Sequence, residues 1–184
     1  MKGIFDAMVV LRVVRELRVL LLKSLYNITY GKQCIIKGKC KIKTINKGRI
    51  SLGNNVSIMG NAHIVAADKG SISFGNNVFI NENCFIVSRE QILIENDVLI
   101  GPGVYIFDHN HKFNRSEVLN DFSTKSIVVG EGSWLGAGCI LLKEAQIGKH
   151  CVIGAGTVIN SIVPDYSIVS RNDAITIQGE VRYK

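Results

Sequence analysis

Proline is almost missing from this sequence: there are two in 184 residues, at positions 102 and 164. With only eighteen glycines as well, that scarcity argues against a collagen-like or proline-rich disordered chain. Aromatic side chains are sparse too, at 7%. Few stand among the lysines and arginines that crowd residues 2–49, so the stacking platform of a nucleic-acid-binding surface is not expected. No long apolar run survives uninterrupted. Residues 4–25 come nearest, but Arg12, Arg15, Glu16, Arg18 and Lys23 break them, which is costly in a bilayer-spanning helix and unlike the core of a signal peptide. A cytoplasmic protein is the expectation. No two cysteines have metal-site spacing, and a Gly-x-Ser-x-Gly elbow, a Gly-Lys-Ser/Thr phosphate loop and a Cys-His nucleophile pattern are all absent. Covalent catalysis and nucleotide hydrolysis therefore lack a carrier.

What is present is enough apolar material, 47% of residues, to build one packed domain. The formal charge of +7 permits a polyanionic small molecule or an anionic membrane surface as partner. At a hundred degrees per residue, the charges between Arg12 and Lys23 share one side, opposite Val10, Val13, Val14, Leu17, Leu20 and Leu21. Residues 1–28 are therefore expected to form a basic amphipathic helix. It either packs on the fold or a neighbouring subunit, or rests peripherally on a membrane through residues 1–27, at the inner face.

From about residue 34 a six-residue period takes over, in which an aliphatic residue recurs with a small or apolar one two places before it. Val56/Ile58, Ala62/Ile64, Val78/Ile80, Cys84/Ile86, Val98/Ile100 and Val104/Ile106 are clear instances, and Ser133/Leu135 through Thr157/Ile159 continue them. Residues two apart on a strand face the same way, so each pair marks a short strand filling a core. The turns between carry Gly, Asn or Asp, residues that tolerate left-handed backbone angles. Three such units close a triangular coil of roughly eighteen residues that stacks on the next. The expected architecture is an all-β solenoid spanning 29–169, with a C-terminal tail at 170–184. All five cysteines fall on the lattice and are expected to be core fillers with free thiols.

After Ile106 the lattice disappears and resumes at Ile127/Val129, so residues 107–126 form one protruding loop. It contains Asp108-His109-Asn110-His111, the only part of the sequence with evident reactive potential. An imidazole that titrates near neutrality is a natural general base toward a hydroxyl or amine. Two histidines one residue apart could instead hold zinc with a third ligand from another subunit. His63 and His150 fall on turns or outward positions and carry no expected role.

The lattice, the Asp108–His111 cluster, Val129-Gly130-Glu131-Gly132-Ser133-Trp134-Leu135-Gly136-Ala137-Gly138 and Ile153-Gly154-Ala155-Gly156-Thr157 resemble the left-handed β-helix acetyltransferases of the hexapeptide-repeat family. The nearest likeness is to galactoside and maltose acetyltransferases and the O-acetyltransferases of capsule, exopolysaccharide and lipopolysaccharide synthesis. The resemblance implies a left-handed parallel β-helix and a homotrimer with sites in the grooves between subunits. It further implies acetyl-CoA as donor, a sugar or glycan acceptor, and no metal. His111 falls at the family's base and His109 becomes its auxiliary. Asp108 or a backbone carbonyl is the candidate to fix the imidazole tautomer, and Asn83 either matches an asparagine that positions acceptor and base or is a plain turn asparagine. Gly136, Ala137, Gly154 and Ala155 fall along the CoA channel, and Trp134 either walls that channel or packs between subunits. Asn160-Ser161 stands where family members often carry Thr-Lys, so contacts to the CoA phosphates pass to Lys143, Lys149 or Arg171. Amino-sugar N-acetylation, serine acetylation, a zinc enzyme of the γ-carbonic-anhydrase kind and an inert scaffold on the same fold stay open as alternatives.

Overall fold

The computed structural model describes residues 27–171 and 175–180, and within them every regular element is a β-strand. The amphipathic helix expected before residue 28 lies outside the described residues. Three parallel sheets wrap one core. The first face runs from Ile28–Tyr30 to Ile162–Val163 in seven strands, the second from Ile35–Ile36 to Ser167–Arg171, and the third from Lys41–Thr44 to Val158–Ile159 in six. Successive strands belong to successive faces, so the chain climbs one coil every three strands. This is the parallel solenoid of a left-handed β-helix. The tail turns back on the last coil, Ile175–Glu180 pairing antiparallel with Ser167–Arg171.

The inward residues are those the period selects: Val56, Ile58, Ile64, Val78, Ile80, Ile86, Ile100, Ile106, Leu135, Leu141, Ile153 and Ile159 are all 0–1% exposed. Each such side chain contributes roughly 1.5–3 kcal/mol by leaving water. Their alignment in columns gives the backbone a partner in the coil above and below.

Coil length departs from the expected eighteen. Registers advance by 22 residues from Ile28 to Ile50 and from Ile50 to Ile72, then by 20 to Ile92. They settle at 18 from Val128 to Gln146 and shrink to 16 from Gln146 to Ile162. All of the variation sits at one corner. From the inward isoleucine or leucine of the third face to the last inward residue of the first, the step is ten residues at Ile64 to Phe74 and eight at Ile86 to Ile94. It is twenty-three at Ile106 to Val129, six at Leu141 to Ile147 and four at Ile159 to Val163. The other two corners always take six, because their short turns leave no slack.

Four of the five cysteines are buried as expected, whereas Cys40 is half-exposed. Burial pushes the Cys139 thiol up to about 11 and raises Cys34, Cys84 and Cys151 as well. A thiol reagent is therefore expected to modify Cys40 alone quickly in the native protein, the other four reacting only after denaturant is added. Mass spectrometry of the quenched products checks this.

Candidate active site

The excursion after Ile106 is an ordered antiparallel hairpin. His109–Phe113 pairs with Val118–Thr124, with a bulge between His111 and Phe113. Asn114 closes its tip by accepting from the Ser116 and Glu117 amides at 2.9 and 3.0 Å. At its neck the Lys125 amide donates to the Asp108 carbonyl at 2.9 Å.

Asp108 belongs to the lattice and not to the loop, which corrects the boundary read from the period. In the early coils the third face has an additional inward position, filled in register by Thr44, Ala66 and Ser88, and Asp108 is the next in that column. It is 0% exposed. Its Oδ1 accepts from the Arg89 amide at 2.8 Å and His109 Nδ1 at 3.0 Å. Its Oδ2 accepts from Ser88 Oγ at 2.6 Å and the Glu90 amide at 2.9 Å. Burial alone would raise the carboxyl's pKa, but the bonds from His109, Ser88 and the two amides outweigh it and hold Asp108 below the usual carboxylate value.

His109 and His111 lie two apart on one strand and so face the same side. Both meet Phe122, which pairs directly opposite His111: ring centroids are 4.5 Å apart for His111 and 5.4 Å for His109. The Arg89 guanidinium sits 3.6 Å above the Phe122 ring and is held by Asp68 from the coil below. His111 is exposed, and its Nδ1 lies 3.2 Å from the Leu119 carbonyl. A carbonyl only accepts, so Nδ1 carries the proton and Nε2 keeps its lone pair open to solvent. Ser88 and Asp108 stand two residues beyond Ile86 and Ile106, a parity that the six-residue period alone does not mark as inward. Arg89, Leu119 and Phe122 come to the site only through hairpin pairing and coil stacking, and no motif marks them.

The remaining candidates are spread over more than one corner. Asn83 (φ 60°) is an exposed turn residue accepting from Asn61 Nδ2 at 3.2 Å, between the second and third faces. That is the edge of the third face opposite the hairpin. Ala137 and Ala155 occupy the same corner in higher coils. At the corner between the first and second faces, Asn54 Oδ1 and Asn76 Oδ1 each accept a turn amide at 2.8 Å. The amides of Ala137 and Ala155 find no such acceptor among the described residues. Gly136 is a close approach: a Cβ there would lie 2.7 Å from Ala155 N and from the Ile153 carbonyl. Gly154 is half-buried in the next turn up. Trp134 is 51% exposed on the second face, between Leu99 and Val152. Lys143 stands at the hairpin's corner one coil up and pairs with Glu144 at 2.9 Å, while Lys149 reaches Glu131 at 3.4 Å. Arg171 ends a described strand, but its side chain lies outside the described residues. His63 tilts against Phe85 and His150 stacks on Tyr166, both at 5.3 Å, as packing residues. Among the described residues no three His, Cys, Asp or Glu side chains converge as a metal-binding group.

Known proteins carry the same pattern. Residues 126–161 match the family model described as bacterial transferase hexapeptide, six repeats. A point mutant of AntD, an N-acyltransferase from Bacillus cereus in complex with dTDP and coenzyme A, shares the fold at a TM-score of 0.76. It is 19% identical, over 88% of both chains. A hexapeptide-repeat acetyltransferase from Vibrio cholerae complexed with acetyl-CoA superposes at 0.59 with 20% identity, over 90% of this chain and 77% of that one. The putative lipopolysaccharide biosynthesis O-acetyl transferase WbbJ of Escherichia coli K12 is 30% identical over 171 residues, 87% of this chain and 83% of the relative. At that identity and coverage, the chain belongs to the hexapeptide-repeat acetyltransferases.

Proposed function

We propose that this enzyme transfers acetyl from acetyl-CoA to a sugar hydroxyl in surface-polysaccharide synthesis, with His111 as general base. The observation that carries the reading is the His111 imidazole itself: its proton is fixed on Nδ1 by the Leu119 carbonyl, and its Nε2 lone pair is exposed on an anchored hairpin. Nε2 takes the acceptor's hydroxyl proton as the oxygen attacks the thioester carbonyl. The tetrahedral intermediate collapses, the C–S bond breaks, and CoA leaves as thiolate, to be protonated by the imidazolium. The uncapped Ala137 amide is suited to steady the developing oxyanion, and that of Ala155 to bind the pantetheine arm. Trp134 would wall the channel, with Gly136 and Gly154 keeping its floor low, while Lys143 and Arg171 are the candidates for the CoA phosphates. His109, held by Asp108, supports the base.

Asn83 and Ala137 stand across the third face from His111, so one copy does not gather the whole site. A homotrimer, in which each copy presents that edge to its neighbour's hairpin, would gather it. Outward Leu99 and Trp134, each 51% exposed, supply apolar surface for such packing. The buried free thiols suit a reducing cytoplasm, and no helix among the described residues is long and apolar enough to cross a membrane. The name of the E. coli relative favours a hydroxyl acceptor; AntD, an N-acyltransferase, favours an amino sugar as the second reading.

Thiol release from acetyl-CoA is the test, with simple sugars, amino sugars, nucleotide-linked sugars and serine as acceptors. Release dependent on a sugar hydroxyl supports the reading and release confined to amino sugars supports the second. No acceptor-dependent release together with no CoA binding by calorimetry overturns both. Gly136→Ala forces the next coil to shift, at a cost of about 1–3 kcal/mol. It is expected to lower Tm and weaken CoA binding several-fold, measured by melting with and without CoA.

A further inference from the structure

We propose that the first coil of the solenoid is a docking face for an anionic membrane surface. Residues 27–49 carry seven lysines and arginines and no acid, whereas residues 50–184 carry ten cations against thirteen acids. The positive charge is thus concentrated toward one end of the solenoid. Its strands, Ile28–Tyr30, Ile35–Ile36 and Lys41–Thr44, are the terminal strands of the three sheets. Lys32, Lys37, Lys39, Lys41, Lys47 and Arg49 are exposed, and none forms an ion pair among the described residues. The first acid that follows them, Asp68, is engaged by Arg89 and Asn46.

The arrangement selects the partner. Lys32 lies at the corner between the first and second faces, Lys37 and Lys39 at the next corner, Lys41 on the third face and Lys47 at the last corner. Cations ringing every side of an end coil match an extended anionic plane, not a single phosphate, which needs convergent donors. Ile45, 39% exposed at the same rim, offers an apolar foothold between headgroups. Tyr30 is the one aromatic of this coil and is half-buried, so a stacking platform for nucleic acid is missing. The basic amphipathic pattern of residues 12–23 precedes the coil directly and adds charge of the same sign. The end coil is proposed to bind in its own right.

Sedimentation of the full-length protein with vesicles tests this, comparing phosphatidylcholine alone with phosphatidylcholine containing phosphatidylglycerol, at low and near-molar salt. Binding is expected only to the anionic vesicles and to vanish at high salt, where screening shortens to about 3 Å. Replacing Lys37, Lys39 and Lys41 with Gln leaves residues 1–26 intact and should weaken partitioning about a hundredfold, at roughly fivefold per charge. An unchanged melting curve shows that the variant is folded. Anionic-vesicle binding that the triple variant retains would place docking elsewhere in the chain and overturn the proposal. So would absence of binding by the wild type, or duplex DNA bound as tightly as vesicles of matched charge.

Discussion

His111→Asn lowers kcat by about 10²–10⁴-fold while CoA affinity stays within a factor of two or three. Asparagine keeps a polar group of similar reach on the strand but has no basic lone pair, so what is lost is the proton acceptor and not the hairpin. The hairpin's own supports are elsewhere, in the Asp108 bonds at its neck and the Arg89–Phe122 stack beneath it. His109→Asn is expected to cost less than His111→Asn, because His109 is mostly buried and its Nδ1 is committed to Asp108. Phe122→Leu separates positioning from chemistry: the base remains but loses the ring that meets it at 4.5 Å. A drop in kcat smaller than that of His111→Asn is expected, with KM for CoA unchanged. Single-turnover acetyl transfer by the three variants measures these effects. Full activity in His111→Asn would refute His111 as the base and turn attention to His109.

Asp108→Asn is expected to destabilise the hairpin and its neck by about 2–4 kcal/mol and to reduce activity, while leaving the coils above and below folded. Each carboxylate oxygen accepts two hydrogen bonds. An amide in its place offers one oxygen, so on the other side a backbone amide, Arg89 or Glu90, is left facing an NH₂ group, while Ser88 can turn its hydroxyl to the Ser71 carbonyl at 3.1 Å. Hydrogen exchange should show the loss locally, at the Lys125, Arg89 and Glu90 amides, with core strands on another face, such as Leu99–Ile100, still protected. The pH dependence has a defined sign. Because the folded-state pKa of Asp108 is depressed, its stabilisation is complete above the unfolded value, near 4, and is lost as pH falls through the folded value. Wild-type hairpin protection should therefore fade in acid below about pH 4, and Asp108→Asn should remove that dependence. Uniform loss of protection throughout the solenoid would show that Asp108 supports the fold at large.

Much of this molecule is legible residue by residue. An inward aliphatic every six positions, as at Val98/Ile100 and Val104/Ile106, allows only a strand and a turn per unit, and stacking is the one way to bury such a face. The break after Ile106 announces the hairpin, and the histidines in it are the reactive groups whichever way the chain folds. Asp108 was legible as an acid at the loop's root but not as an inward lattice residue, since parity beyond Ile106 has meaning only once Ser88 is known to lie beneath it. Trp134 is the sole tryptophan of the sequence. Its exposure beside Leu99 depends on pairing between coils 35 residues apart in sequence.

What the sequence by itself determined is the period, the core and the identity of the reactive cluster, because these depend on local spacing and side-chain chemistry. Tertiary structure alone decided that every change in coil length falls at one corner and that the hairpin leaves from that corner. It also decided that Leu119 holds the His111 proton, that Arg89 and Phe122 brace the imidazole, and that Asn83 and Ala137 stand across the third face from it. Each of these is a contact between residues far apart along the chain, set by how one coil registers on the next, and a six-residue period is the same whichever coils and corners meet.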